Sequence, residues 1–237
     1  MIAGMPIATA IKRHQSHTSE RQPIELGFFH LVFIFLLTSF IGLVGETLVS
    51  FVVDGRWESR AGYVFGPLSP LYGLGAVLIT LAVNPLRGKP VLQQAVAAGL
   101  VGGLLEYFAG WFFETRYGIV AWSYADQPLN FHGHTCVSMM LVWGAIGVVW
   151  TLWALPVVVR LIERIPRDIR RPLTVLAFSF IMFDSVLTLA CLDSWFCRTA
   201  GMPIEGPVQQ MCAQYFGDDF MSTRFETMSM WTSLAHR

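Results

Sequence analysis

Charged side chains are scarce in this sequence. Asp, Glu, Lys and Arg account for 14% of its 237 residues, whereas hydrophobic residues account for 54%. Soluble domains carry about 25% charged residues, so the deficit excludes an ordinary soluble domain and indicates a protein embedded in a lipid bilayer. Because the formal net charge is zero, nothing points to a nucleic-acid partner.

Nucleotide-binding loops are also missing. Neither GxGxxG, which cradles a dinucleotide, nor GxxxxGK[ST], which cradles a nucleoside triphosphate, occurs in the chain. We therefore expect no bound cofactor. If ATP drives this protein, a separate ATPase subunit must bind it.

Long apolar runs are present instead, and they predict an all-α fold. A helix needs about 20 apolar residues to cross the ~30 Å hydrocarbon layer, and the first apolar run meets this length. We expect a polytopic integral membrane protein with five transmembrane helices. They lie near residues 26–53, 71–82, 91–113, 135–159 and 172–192.

Basic residues predict the orientation of these helices. Ten of the 16 Lys and Arg residues lie in the amino-terminal tail, in residues 84–90 and in residues 160–171. Loops rich in Lys and Arg face the cytoplasm, so we expect a cytoplasmic amino terminus. The chain then divides into a disordered cytoplasmic tail (1–25), a five-helix transmembrane domain (26–192) and an extracytoplasmic tail (193–237).

Two dipeptides that end in proline precede the second predicted helix. Gly66-Pro67 and Ser69-Pro70 favour extended or turned backbone, because the residue before a proline is pushed out of the α region. Irregular backbone at membrane depth is tolerated only where protein or a water-filled cavity covers it. We therefore expect this segment near the functional region, at the outer face.

The stretch from Gly102 to Cys136 carries the strongest functional signal. Glu106, Gly110 and Glu114 recur at every fourth position, so they share one helical face, with the two carboxylates about 12 Å apart along the axis. A carboxylate inside a membrane helix is costly unless it meets a partner or a polar cavity, and by default it marks a functional site. Glu106 lies two turns deeper than Glu114 and should therefore matter more.

Small residues precede these glutamates on the same helix. Ala95, Gly99 and Gly103 recur at every fourth position. Such stripes let neighbouring helices approach closely. We interpret this one as structural.

The stretch also resembles a known bacterial family, putative ABC-transporter type IV (putative ABC transporter permease). The similarity lies at Glu106-Tyr107, Glu114, Trp122-Ser123-Tyr124, Asn130 and Gly133-His134-Thr135-Cys136. The upstream segment GPLSPLYGLGA and Glu46 are similar to further family positions, so the resemblance covers roughly residues 35–150. Ser123 stands where the family usually has Asp, and His134 stands where it has Arg, which identifies a divergent member.

The resemblance implies transport across the bacterial cytoplasmic (inner) membrane. We expect a permease-like component that binds a small polar or cationic solute in an outward-facing pocket of carboxylates and aromatic side chains. The candidate substrate-binding residues are Glu46, Arg60, Tyr72, Glu106, Glu114, Trp122, Tyr124, Asn130, His134 and Asp184. For Glu106, the candidate ion-pair partners are Arg60, Arg116 and His134.

Two other functions stay open at this point. The same cluster could serve a membrane-embedded enzyme that acts on a lipid or lipid-linked substrate, with Glu106 or His134 as general base. Secondary transporters often show inverted repeats, and this sequence has none, which favours either a homo-oligomer or an enzyme. The small size suits a non-catalytic subunit or regulator.

The candidate metal ligands and the cysteines give weaker indications of function. His132, His134 and Cys136 are weak candidate metal ligands, because their spacing does not match a closed zinc site, and we expect no metal. Cys136 and Cys191 fall in or beside apolar helices. Cys197 and Cys212 lie in the predicted outer tail, where disulfides persist, and we expect them to form one.

The orientation can be tested with reporter fusions. A reporter that is active only outside the cytoplasm should be inactive when fused at Arg167 and active when fused at Gly217. A cytoplasm-only reporter should give the reverse pattern at both positions. Activity of the outside-only reporter at Arg167 would overturn the proposed orientation.

Overall fold

A computed structural model describes residues 22–228, except positions 56 and 58. Residues 1–21 of the expected disordered tail (1–25) lie outside the described residues. The helices are α1 (Phe28–Asp54), α2 (Pro70–Val83), α3 (Val91–Tyr117), α4 (Val137–Val149), α5 (Leu155–Ile162), α6 (Arg167–Thr199), α7 (Pro207–Tyr215) and α8 (Asp218–Arg224). A 3₁₀ turn (Asn84–Leu86) follows α2, and a π-helical turn (Trp150–Ala154) joins α4 to α5. The short strands β1 (Asn130–Phe131) and β2 (Thr135–Cys136) pair antiparallel.

Within the described residues, four helical spans are long and apolar enough to cross a membrane. They are Phe28–Val53, Val91–Tyr117, Val137–Ile162 and Arg167–Thr199. The mostly helical membrane fold is therefore confirmed. The second predicted span is a shorter apolar helix, Pro70–Leu86, so the five-span count and the orientation stay predictions.

The short helix α2 packs between α1 and α3, while α3 packs against α4. The carboxyl end of α2 is joined to the chain just before α1 by two reciprocal hydrogen bonds. Ile24 N donates to Asn84 Oδ1 at 3.0 Å, and Asn84 Nδ2 donates to Ile24 O at 2.8 Å. The start of α1 and the end of α2 therefore lie at the same end of the bundle.

The connection between α1 and α2 folds back into the bundle. Ser69 N donates to Ser39 O at 3.2 Å, and Ser39 lies 15 residues before the end of α1 at Asp54. At about 1.5 Å per residue, the connection returns roughly 22 Å along α1 before α2 begins. This re-entrant connection spans residues 55–69, of which positions 56 and 58 are not described. It contains Gly66-Pro67 and Ser69, and Pro70 is the first residue of α2, so the segment that predicted irregular backbone at depth lies at the end of the connection.

Side chains of α6 supply hydrogen bonds to the backbone of the re-entrant connection. Val64 N donates to Thr188 Oγ1 at 3.0 Å, and Phe65 N donates to Asp184 Oδ1 at 3.2 Å. Asp184 is fully buried. A buried backbone N–H without a partner is costly, so these two bonds allow the connection to leave the aqueous phase.

The carboxyl-terminal segment supplies the complementary donors. Arg224 Nε donates to Tyr63 O at 2.8 Å, and its Nη2 donates to Gly66 O. Two residues around Arg224, Met221 and Phe225, are almost completely buried against α6. The carboxyl-terminal helix α8 therefore contributes to the core.

The cysteine prediction needs correction. Cys212 Sγ lies 2.9 Å from Cys191 Sγ, and all four cysteines are free thiols. The expected disulfide between Cys197 and Cys212 is therefore not formed in the structure. Cys191 and Cys197 are six residues apart on α6, or about 120° around the helix axis. Cys212 of α7 therefore meets Cys191, while Cys197 is contacted by another residue of α7, Gln209, whose Nε2 lies 3.9 Å from its Sγ.

Glycines allow α3 and α4 to cross closely, as the small-residue stripe predicted. A methyl group at Gly99 would lie 2.5 Å from Met140 O, and one at Gly144 would lie 2.8 Å from Ala95 O. Both obstacles are backbone atoms, which cannot rotate away as a side chain can. The two helix backbones are therefore in direct contact.

Replacing Gly99 with alanine should destabilise this crossing. Overpacking of this kind costs about 1–3 kcal/mol, so the melting temperature of the purified protein in detergent should fall. Gly45→Ala is the matched control, because nothing lies within 4 Å of the added methyl group. Alanine is the better helix former, so the control should match or exceed the wild type. Equal melting temperatures for the two variants would contradict a close crossing.

Candidate functional site

A cavity of about 560 Å³ lies among α1, the re-entrant connection, α2, α3 and α4. Its volume falls within the range of small-molecule sites, roughly 300–1,000 Å³. The sequence-predicted residues that line it are Glu46, Arg60, Tyr72, Glu106, Trp122 and Tyr124. The structure thus brings together side chains from five separate parts of the chain.

Glu106 lies in the cavity wall and is only 5% exposed. Both of its carboxyl oxygens accept hydrogen bonds from hydroxyl groups. Tyr124 donates to Oε1 at 3.3 Å, and Thr135 donates to Oε2 at 3.0 Å. The indole of Trp143 lies beside the same carboxyl group, although its N–H makes no well-formed hydrogen bond with the described residues. Thr135 and Trp143 are site residues that the sequence analysis missed.

The three expected ion-pair partners of Glu106 instead lie beside other carboxylates. Arg60 Nη1 lies 3.4 Å from Glu46 Oε1, and Arg116 pairs with Asp193. His134 Nδ1 lies 3.7 Å from an oxygen of Glu114. Among the described residues, Glu106 therefore has neutral hydrogen-bond donors and no cationic partner.

Glu46 also lines the cavity and is held by a small polar network of its own. Besides its contact with Arg60, it is hydrogen-bonded by the hydroxyl group of Tyr72. Arg60 also donates from Nη2 to Ser50 Oγ at 2.6 Å. Arg60 comes from the re-entrant connection, so the backbone path of that connection puts a cation beside this carboxylate and away from Glu106.

The connection after α3 positions the two aromatic side chains of the site. Trp122 Nε1 donates to His134 O at 2.9 Å, and Tyr124 N donates to Gly133 O at 2.8 Å. Burial and the neighbouring Glu106 carboxylate raise the pKa of Tyr124 above its usual value. Its phenol therefore stays protonated and remains a donor at neutral pH.

Asn130 organises this connection and does not line the cavity. Its side-chain nitrogen donates to Ala125 O at 3.1 Å and to Gln127 O at 2.8 Å. Its side-chain oxygen accepts a hydrogen bond from Gly133 N at 3.1 Å. All three bonds are local, so Asn130 shapes the loop that carries Tyr124 and β2.

Three other predicted residues also lie outside the cavity. The side chain of Glu114 is 45% exposed and faces His134, while Asp184 supports the re-entrant connection from α6. The weak metal candidates are dispersed in a similar way: His132 contacts the Tyr107 hydroxyl, and Cys136 contacts Ser138. Among the described residues, no three His, Cys, Asp or Glu side chains lie close enough to hold a metal ion.

The carboxyl-terminal segment closes one side of the cavity. Thr227 and Met228 line it, and Ser59 ties this segment to the re-entrant connection. Ser59 N donates to Glu226 Oε2 and Ser59 Oγ donates to Arg224 O, both at 2.9 Å. No motif in the sequence marks these residues, because the contacts join positions more than 160 residues apart.

Removing the Arg224 guanidinium should loosen this wall. Burial lowers the pKa of Arg224, which the nearby Asp184 partly offsets. Arg224→Met keeps the apolar stem and leaves two carbonyl oxygens without their donor, at a cost of about 1–3 kcal/mol for each buried group left unsatisfied. The melting temperature should fall, and proteolysis of residues 59–66 should accelerate.

The matched control is Arg164→Met, which changes an exposed arginine between α5 and α6. Its melting temperature and proteolysis pattern should match those of the wild type. An Arg224→Met protein as stable and as protease-resistant as this control would contradict the bracing role of Arg224.

Comparison with known proteins adds one positive finding. The family model described as putative ABC-transporter type IV matches residues 33–189, which include all six predicted residues that line the cavity. No curated protein and no solved structure matches the chain. The matched range ends before the carboxyl-terminal wall of the cavity.

Proposed function

Because the chain belongs to the putative ABC-transporter type IV family, we propose that it is a permease-like transport component that binds a small polar or cationic solute. The proposed binding site is the cavity described above, which is lined by α1, the re-entrant connection, α2, α3 and α4. The family description itself supports a transport-related membrane component. A separate ATPase subunit is the proposed energy source, because the chain has no nucleotide-binding loop of its own.

The observation that carries this proposal is the buried carboxylate of Glu106 in the wall of a cavity of ligand size. An ionisable side chain within a membrane helix is costly, and such residues typically serve substrate or ion pathways. Glu106 makes no ion pair with a described residue, so a structural salt bridge does not explain it. A bound solute would supply the missing interaction.

The position of the cavity supports an outward-facing site. It lies where α1 and α3 end and α4 begins, and the distribution of basic residues predicts this end of the bundle to be extracytoplasmic. A solute could then enter from outside the cell. We propose the bacterial inner membrane as the location, in line with the family resemblance.

The enzyme alternative has less support. It needs Glu106 or His134 as a general base, and a general base must come within hydrogen-bonding reach of its substrate. His134 does not line the cavity, so only one of the two candidate bases could meet a substrate there. We therefore favour binding and transport.

Replacing Glu106 with glutamine should remove solute binding while the fold survives, because the side chain keeps its shape and loses its charge. The measurement is the rise in melting temperature on adding each member of a panel of polar and cationic solutes. A solute at 100 times its Kd stabilises a protein by about 2.7 kcal/mol. The wild type should show such a rise, and Glu106→Gln should lose it.

Glu114→Gln provides the matched control, since it removes a carboxylate from the same helix outside the cavity. It should keep the full stabilisation by the solute. If Glu106→Gln unfolds, Glu106 is structural; if it keeps the full stabilisation, the site lies elsewhere. Either result would overturn the proposal.

A further inference from the structure

The charged groups of the cavity do not balance. Among the described residues that line it, three carry charge: Glu46, Arg60 and Glu106. Glu46 and Arg60 lie within ion-pair distance and offset each other. Glu106 therefore has no counter-charge among the described residues that line the cavity.

The hydrogen bonds of Glu106 are compatible with a carboxylate that binds a cationic ligand. Tyr124 and Thr135 are both neutral donors, and each binds a different carboxyl oxygen. Hydrogen bonds to the charged form of a carboxylate favour that form. Neutral donors do not cancel the charge, and a desolvated ion without a counter-charge is costly, so a cationic ligand would complete the site.

Apart from the hydroxyl groups of Ser69 and Thr227, the rest of the wall is mainly apolar and aromatic. Aliphatic side chains such as Leu105, Met139 and Val142 line the cavity. A sugar or a free amino acid would leave several polar groups unpaired against such a surface, which costs free energy for each group. The apolar wall therefore selects against strongly polar solutes.

Aromatic side chains also line the cavity, and two of them lie at Glu106. Trp143 and Tyr124 contact or adjoin its carboxyl group, and Tyr72, Phe113 and Trp122 also line the cavity. The faces of such rings attract organic cations, most strongly where water is excluded. A carboxylate among aromatic rings is a suitable environment for an alkylated ammonium group.

We propose that the ligand of this cavity is an amphiphilic monocation, with a single alkylated ammonium group beside Glu106 and an apolar body against the aliphatic wall. The inference rests on the proposed function, because it names the class of solute that the same cavity takes. The ammonium group could belong to a free organic cation or to the headgroup of a lipid. Both sources have the same chemistry at Glu106.

The test is isothermal titration of the purified full-length protein in detergent with three probes of similar size. They are benzyltrimethylammonium, which is a cation, benzyl alcohol, which is neutral, and phenylacetate, which is an anion. The cation should bind at least ten times more tightly than either of the others. Glu106→Gln should abolish this preference, and Glu114→Gln should keep it.

Competition experiments separate the two sources of the ammonium group. Displacement of the bound cation by dihexanoyl phosphatidylcholine, and not by dihexanoyl phosphatidylglycerol, would assign the site to a lipid headgroup. Displacement by neither lipid would assign it to a free cation, and both results support the proposal. Equal displacement by the two lipids would overturn it, since phosphatidylglycerol has no ammonium group.

Failure of this inference differs from failure of the proposed function. If benzyl alcohol or phenylacetate binds as tightly as the cation, the cavity binds solutes without the proposed charge preference, and only the inference is lost. If the wild type binds none of the probes and no solute of the panel stabilises it, both are overturned. The wild-type probe series decides the question even if Glu106→Gln fails to fold.

Discussion

The hydrogen bonds of the re-entrant connection are the constraint on which the rest of this structure depends. The described residues of the connection between positions 55 and 69 return alongside α1 without forming a helix. Their backbone N–H and C=O groups therefore need partners that water would otherwise supply. Asp184 and Thr188 accept from two N–H groups, and Arg224 donates to two carbonyl oxygens. The connection is thus held from both sides, by α6 and by the carboxyl-terminal segment.

The cavity and its charge pattern follow from this arrangement. The re-entrant connection brings Arg60 to Glu46, while the connection after α3 brings Thr135 and Tyr124 to Glu106. Two carboxylates in one cavity therefore have different surroundings, one with a cation and one with hydroxyl groups. This difference is the reason why we propose Glu106, and not Glu46, as the principal ligand contact.

Several site residues could be predicted because their chemistry conflicts with a membrane environment. Glu46 and Glu106 stand out as carboxylates in apolar helices, and both line the cavity. The same reasoning selected Asp184. Its buried carboxyl group accepts a hydrogen bond from the backbone of the re-entrant connection, which offsets the cost of its burial. Burial of a charged group signals that a partner exists, and it does not say whether that partner is a ligand or the chain itself.

The sequence by itself determined the membrane class, the approximate helices and the shared face of Glu106 and Glu114, because hydropathy and helical periodicity are local properties. Only the tertiary structure decided which partners meet. Thr135 reaches Glu106 across 29 positions, and Arg224 reaches Tyr63 across 161. Such contacts depend on how far the connection returns into the bundle and on which face of α6 the carboxyl-terminal helices approach, and no local pattern encodes either.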